Sequence, residues 1–158
     1  RLLGEIAGRV GDEVRDQMAS LFELAGLGAS LPGAAEQVHG DAVEHPVMPF
    51  LLQAIRQNPN LYAVYVGHTN GDFIQAIAVN GDRRILDANR APPRTHVIMR
   101  MITVEADGER RERRTFVDEK SAVIDHLVID RPEYDPRARA WYKSALETDA
   151  IILSEPYR

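Results

Sequence analysis

YDPRARAWY, residues 134–142, is the stretch on which the interpretation of this chain depends. It contains the only Trp of the sequence and two of its five Tyr. Asp135 can accept hydrogen bonds from the free N–H groups of a helix's first turn. Pro136 suits the first helical position, where its missing N–H is no loss. The stretch therefore predicts a helix from Pro136 to about Leu146.

The side chains of this helix allow two interpretations. Arg139 and Tyr142 are three residues apart and would share one face, with Tyr134 just before the helix. A guanidinium beside phenol and indole donors, the indole being that of Trp141, suits a carboxylate ligand. Alternatively, the aromatic residues anchor the start of the helix to the core and the Arg is exposed. The residues alone leave both interpretations open.

Size and composition fit one globular domain. The chain has 158 residues, of which 44% are hydrophobic, enough for a proper core. Its net charge is −5, and its one basic cluster, residues 110–114, is interrupted by a Glu. We interpret this cluster as a solvated strand edge and expect no nucleic-acid partner. The absence of Cys excludes disulfides and thiolate metal sites.

Residues 1–30 form the longest periodic segment. Apolar residues recur at spacings of three and four, which predicts a helix about 42 Å long. Two interpretations remain open: an amphipathic helix on its own domain, or a stalk helix that packs on a second copy of the chain and continues toward a membrane. Gln17 and three glycines weaken the pattern, whose stripe consists of Leu3, Ala7, Val10, Val14, Gln17, Leu21, Leu24 and Gly28.

A second helix and a hairpin follow a predicted loop. The helix is expected from about His45 to Gln57, where an Asn-Pro-Asn run stops it. Two apolar runs, 61–66 and 73–79, flank Asn70-Gly71, which is typical of a two-residue hairpin turn, although a longer loop is possible. Because both runs are apolar on both faces, we expect a central pair of strands. Residues 82–94 are polar and predict a loop.

A second hairpin is predicted from Thr95–Glu105 and Arg110–Val117. A turn centred on Asp107-Gly108 would pair Met99 with Phe116 on one face of the sheet.

Two further apolar runs complete the pattern. Residues 123–129 are of uncertain type, with a strand as one possibility, and residues 150–153 predict a strand. The order of elements indicates an α+β fold, an antiparallel sheet with helices mostly on one side. We expect that residues beyond 158 complete this sheet, and that the chain, which starts and stops in mid-pattern, is part of a longer protein.

Signatures of enzymes and metal sites are absent from the sequence. There is no G-x-S-x-G, H-E-x-x-H, P-loop or G-x-G-x-x-G motif. The five His are scattered, and His45, just before a helix start, is expected to be a surface or capping residue. We therefore expect no catalytic residue, no metal and no cofactor.

The YDPRARAWY stretch resembles the Y-D-P-R-x-R-P-W-Y signature of Cache domains, with Ala140 in place of the usual Pro. Cache domains are PAS-like extracytoplasmic sensor modules of bacterial chemoreceptors, histidine kinases and nucleotide cyclases. The long first helix, the helix that ends in Asn-Pro and the run Gly71-Asp72-Phe73 agree with that family. The closing run, residues 154–157, resembles the strand that follows the motif helix.

The resemblance implies a ligand site. In the amino-acid-binding members, Arg139 and Trp141 would donate to the ligand's carboxylate. Tyr134, Tyr142 and Tyr157 would serve its amine side or the pocket wall. Arg137 is expected to be structural or exposed. Since the Asp that anchors the amine in that family would lie beyond residue 158, an amino acid, another small carboxylate or amine, and no small ligand all remain open.

The resemblance also implies an organisation. Residues 1–33 would be an N-terminal stalk or dimerisation helix, and residues 34–158 a double-Cache-type sensor module, incomplete at its C-terminal end. The chain is also similar to sensor regions fused to class III cyclases, with histidine kinase and chemoreceptor as alternatives. We expect the periplasmic ligand sensor of a membrane-tethered, homodimeric receptor. The alternative is a ligand-free module of the same fold that mediates dimerisation.

Overall fold

The helices and strands predicted from sequence are largely present in a computed structural model, which describes residues 2–34 and 45–148, with side chains from residue 16 onward. The predicted α+β class is confirmed by a five-stranded antiparallel sheet and four α-helices in these residues. In chain order the elements are α1 (Leu2–Ser30), α2 (Met48–Gln57), β1 (Ala63–Gly67), β2 (Phe73–Ala78), α3 (Arg83–Asn89), β3 (Val97–Val104), β4 (Arg110–Val117), β5 (Val123–Asp130), a 3₁₀ turn (Pro136–Ala138) and α4 (Ala140–Leu146). The strand predicted at 150–153 lies outside the described residues.

The strands follow one another across the sheet in the order β1-β2-β3-β4-β5. Ala63 faces Ile77 in the first pair, and Phe73 faces Ile102 in the second. Strand β1 therefore has a single strand neighbour in the described part of the sheet, and the prediction of a central first pair is wrong for β1. All five of its residues are half-buried, with α1 and α2 along one of its faces.

The loop between β1 and β2 comprises residues 68–72 and is longer than a two-residue turn. Gly71 has a φ of +97°, the left-handed conformation that the Asn-Gly pair predicted. The buried Asp72 carboxylate accepts hydrogen bonds from Asn70 Nδ2 at 2.8 Å and from the Val104 N–H at 3.0 Å. These bonds tie the loop to the end of β3.

The register of the β3–β4 hairpin differs by one residue from the prediction. Met99 faces Thr115, and Phe116 faces Ile98, so Met99 and Phe116 point to opposite faces. The Glu105 N–H donates to the Glu109 carbonyl at 2.8 Å, which leaves three residues in the turn instead of two. One additional turn residue is enough to reverse the face of every side chain in the partner strand.

Two apolar clusters lie on opposite faces of the sheet. On one face, α2 covers the strand side chains that point toward it, among them Ile74 and Met101. On the other face, Ile77, Ile98 and Phe116 pack with residues of α3. Helices therefore lie on both faces, and the prediction that they lie mostly on one face is wrong.

Helix α3 occupies residues that the sequence predicted as a loop. Its N-cap is Asp82, whose carboxylate accepts a hydrogen bond from the Arg84 N–H at 2.8 Å. Ile85 and Leu86 pack against the sheet. Arg90 ends the helix in the left-handed conformation. Only two of its seven residues pack on the sheet, too few to show a helical period, so only the cap could have indicated this helix.

The predicted long N-terminal helix is confirmed as α1, with 29 residues. Its C-terminal end approaches α2 closely, because a Cβ at Gly28 would lie 2.8 Å from the Phe50 ring. A cavity of about 660 Å³ lies between α1, α2 and β1. Leu27 nevertheless keeps 55% of its surface exposed. The dimerisation role of this helix stays a prediction, as does the proposed domain boundary at residue 33.

Two histidines are buried where α2 meets the β1–β2 loop. His45 is 2% exposed, so the prediction of a surface position is wrong; its Nδ1 accepts a hydrogen bond at 3.1 Å from the N–H of Val47, the residue at the N-cap of α2. The ring of His68 lies 5.4 Å from that of His45. Burial lowers the pKa of His68; the His45 charge lowers it further, and the Asp72 carboxylate opposes the shift.

The lowered pKa of His68 predicts acid-sensitive stability. Because the pKa is below its ordinary value of 6.5 in the folded state, the unfolded state binds the proton more tightly. This contribution is complete above the ordinary pKa and is lost as the pH falls from that value through the lower pKa of the folded state. The free energy of unfolding in urea, compared at about pH 7.5 and about pH 5.5, should change less in His68→Gln than in the wild type. His96→Gln, at an exposed position, should keep the wild-type change; an undiminished change in His68→Gln would contradict the assignment.

Candidate ligand-binding site

The YDPRARAWY stretch begins as predicted and then departs from a helix. The Asp135 carboxylate accepts a hydrogen bond from the Arg137 N–H at 2.9 Å, and Pro136 opens the turn. Arg139 is extended, with φ −84° and ψ 146°, and separates the 3₁₀ turn from α4. The predicted continuous helix, in which Arg139 and Tyr142 share a face, is therefore wrong.

The break at Arg139 has a geometric reason. In a continuous α-helix, Pro136 and Tyr142 would point about 120° apart, since each residue advances the direction by about 100°. In the structure both side chains are buried, and both lie against Gly67 at the end of β1. The extended residue redirects the chain so that both contacts can form.

Gly67 allows the stretch to approach the sheet closely. A Cβ at this position would lie 2.8 Å from the Trp141 ring, 3.2 Å from Pro136 and 3.3 Å from the Tyr142 ring. The φ of Gly67 is not in the left-handed region, so space rather than backbone conformation requires glycine here.

The aromatic residues of the stretch pack on the sheet face that also carries α3. The Trp141 ring centroid lies 4.8 Å from that of Tyr65, and the Tyr134 centroid lies 4.7 Å from that of Phe73. Trp141 also meets Tyr142 edge-on at 5.6 Å. The structure thus brings together Tyr134, Trp141 and Tyr142, in agreement with the packing-anchor interpretation as far as these rings are concerned.

Two guanidinium groups lie next to the Tyr134 ring. The Cζ atom of Arg139 is 5.8 Å from the ring centroid, and that of Arg100, on β3, is 4.8 Å from it. Arg139 is therefore placed with the aromatic residues, as predicted. Arg100 was not predicted as a site residue. Its signal in the sequence is a charged residue between Met99 and Met101 within an apolar strand.

Arg100 belongs to a buried charge network. Its Nε and Nη2 donate to the two carboxylate oxygens of Glu112 at 2.7 and 3.0 Å, and Arg114 Nε also donates to Glu112. Burial alone would raise the pKa of Glu112, but the hydrogen bonds and charges of Arg100 and Arg114 lower it. Two guanidinium groups share one carboxylate, so this network carries a net positive charge.

Two of the buried polar atoms on this side of the sheet that have no hydrogen-bond partner in the part of the chain that the structure describes belong to residues next to Tyr65. They are Trp141 Nε1, which can only donate, and Gln75 Oε1, which can only accept. Buried polar atoms are normally paired, and an unpaired one in a folded protein is a candidate for ligand or water contact. Gln75, on β2, was also missed from sequence.

Arg137 lies outside this group of residues. Its guanidinium pairs with Asp135 at 2.8 Å and is half exposed, in agreement with the prediction that it is structural or exposed. The hydrogen bond from Arg137 lowers the pKa of Asp135. Tyr157, the fifth predicted site residue, lies outside the described residues.

The described residues contain no cluster of three or more His, Cys, Asp or Glu that could hold a metal ion. Among the helices in that part of the chain, none is both long and apolar enough to cross a membrane.

Comparison with known proteins gives one similarity. Adenylate cyclase 1 of Rhizobium meliloti (strain 1021) is 27% identical to this chain over 157 residues, which are 98% of this chain and 22% of the cyclase. The chain thus spans about a fifth of the length of this relative. No family model matches the chain, and no solved structure matches it.

The contact at Gly67 predicts a specific response to substitution. Gly67→Ala should push the Trp141 ring away from the sheet and destabilise the fold by about 1–3 kcal/mol, the usual cost of overpacking. Trp141 is the only Trp, so its fluorescence emission should shift to longer wavelength as the indole becomes more exposed. Thr69→Ala, at an exposed position in the next loop, should leave the emission unchanged. Wild-type emission and stability in Gly67→Ala would show that the stretch does not dock as described.

Proposed function

We propose that this chain is a Cache-type, PAS-like sensor domain that binds a small carboxylate between the YDPRARAWY stretch and the sheet. The observation that carries the proposal is the buried indole N–H of Trp141, which has no hydrogen-bond partner among the described residues and belongs to a ring that lies against Tyr65, Phe73 and Tyr142. A donor in a buried, aromatic surrounding requires an acceptor, and a carboxylate supplies one.

The charges nearby support an anionic ligand. The network of Arg100, Glu112 and Arg114 carries a net positive charge, and Arg100 lies against the same Tyr134 ring as Arg139. A negative charge in a partly buried site is stabilised by such a surrounding more than it would be in water. The ligand's carboxylate would therefore gain from both the indole donor and the local charge.

The similarity to a protein named as an adenylate cyclase, over about a fifth of its length, supports a role in signalling. We place this chain on the sensing side of such a protein and not at its catalytic centre. In this proposal the domain is extracytoplasmic, is tethered to the membrane in the longer protein and forms a homodimer through α1. A histidine kinase or a chemoreceptor would use the same module in the same way.

Signal transmission would use the contact between α1 and the body of the domain. Ligand binding draws α4 and the sheet together at Gly67, which is the end of the strand next to α1. The ligand can change the position of α1 only to the extent that it binds one arrangement more tightly than the other.

A ligand-free module is the second candidate function, and one observation favours it. The rings of Tyr65, Phe73, Tyr134 and Trp141 already contact one another, with centroids 4.7 to 5.6 Å apart in three of the pairs. Such a cluster can anchor the stretch without any ligand. In that case the domain would serve dimerisation alone.

Removal of the Arg139 guanidinium tests the proposal. In a thermal-unfolding panel of small carboxylates and amino acids, the wild type should be stabilised by at least one compound, by about 2.7 kcal/mol at a concentration of 100 Kd. Arg139→Ala should fold but lose this stabilisation. Arg137→Ala, the neighbouring Arg paired with Asp135, should keep it. Equal stabilisation of the wild type and Arg139→Ala would contradict the role of Arg139 in the site, whereas no stabilisation by any compound would favour the ligand-free module.

A further inference from the structure

Gln75 lies on the sheet face that packs against the YDPRARAWY stretch. It faces Tyr65 on β1 and Arg100 on β3, and strand alternation places its side chain on the same face as Phe73. The neighbouring residues of β2 are apolar. A single amide in this strand therefore stands directly beside three residues that contact the aromatic and cationic parts of the site.

The Oε1 atom of Gln75 is buried and has no partner in the described residues. An unpaired acceptor in this position lowers the stability of the folded protein, and an apolar side chain of the same size would avoid that cost. A carboxylate cannot satisfy this atom, because a carboxylate has no hydrogen to donate. The partner of Gln75 Oε1 must be an N–H or O–H group.

The two unpaired atoms of the site are complementary, and each belongs to a residue that neighbours Tyr65. Trp141 Nε1 needs an acceptor and Gln75 Oε1 needs a donor. Tyr65 connects them, since it is the cross-strand neighbour of Gln75 and its ring lies 4.8 Å from that of Trp141. A small molecule that carries both a carboxylate and a hydrogen-bond donor and lies beside Tyr65 supplies a partner for each atom.

The surrounding charge distinguishes between two kinds of donor. The guanidinium of Arg100, on the strand next to Gln75, would repel an ammonium group. The carboxylate of Glu112 could have offset this repulsion, but it already accepts hydrogen bonds from Arg100 and Arg114. A hydroxyl group donates to Gln75 without adding a positive charge.

We propose that Gln75 is a specificity-determining residue that selects 2-hydroxycarboxylates over carboxylates without a hydroxyl group and over 2-amino acids. This inference rests on the proposed function, since it requires a carboxylate in the site. It adds the class of the ligand and a residue from the sheet to the four residues of the YDPRARAWY stretch.

Three molecules of nearly equal shape provide the test: 2-hydroxypropanoate, propanoate and 2-aminopropanoate. Calorimetric titration of the wild type should give the tightest binding for 2-hydroxypropanoate, by about 10- to 100-fold over propanoate, as expected for one hydrogen bond in a buried site. In Gln75→Met, which keeps the length of the side chain, the affinity for 2-hydroxypropanoate should fall to that for propanoate. The affinity for propanoate should not change.

The outcomes separate this inference from the function on which it rests. Binding of propanoate and 2-hydroxypropanoate with equal affinity, or an undiminished preference in Gln75→Met, would overturn the role of Gln75 and leave a carboxylate sensor. Tightest binding of 2-aminopropanoate would overturn the hydroxyl preference in the same way. Failure of all three molecules and of their four-carbon dicarboxylate counterparts to bind the wild type would overturn both. Gln75→Leu, with the same titrations, replaces Gln75→Met if the latter does not fold, and the three wild-type titrations test the preference without any variant.

Discussion

The close contact between Gly67 and the YDPRARAWY stretch is the constraint on which the candidate site depends. Without a side chain at Gly67, Trp141, Pro136 and Tyr142 can all approach the end of β1 within van der Waals distance. This contact also explains the extended residue at Arg139, because no continuous helix could bury both Pro136 and Tyr142 there. The position of the indole N–H, and with it the proposed ligand site, follows from that docking.

The long elements could be predicted from sequence, while the details that depend on single residues could not. Helix α1 and both hairpins follow from strong periodicity and turn residues. The predicted β3–β4 register is wrong because one additional turn residue, between Glu105 and Glu109, shifts the pairing by one position. Helix α3 was not predicted because only Ile85 and Leu86 pack against the sheet, and two residues are too short a pattern to distinguish a helix from a loop.

The candidate site was predicted in part for a related reason. Residues that are neighbours in sequence, such as Arg139 and Trp141, were recognised through a local motif. Gln75 and Arg100 are separated from that motif by more than thirty residues, and they join the site only through the pairing of β2 with β3. Glu112 was missed for the same reason, because it joins the site only through the pairing of β4 with β3. A charged or amide residue inside an apolar strand was the one available signal.

The central claim is that the indole N–H of Trp141 donates to a bound carboxylate. Because Trp141 is the only Trp, a ¹⁵N-labelled sample gives a single indole N–H resonance that can be followed by NMR during titration with 2-hydroxypropanoate and propanoate. The account predicts a saturable downfield shift of this resonance, as a hydrogen bond to a carboxylate forms. A resonance that stays in place while backbone resonances elsewhere respond to the same ligand would contradict it.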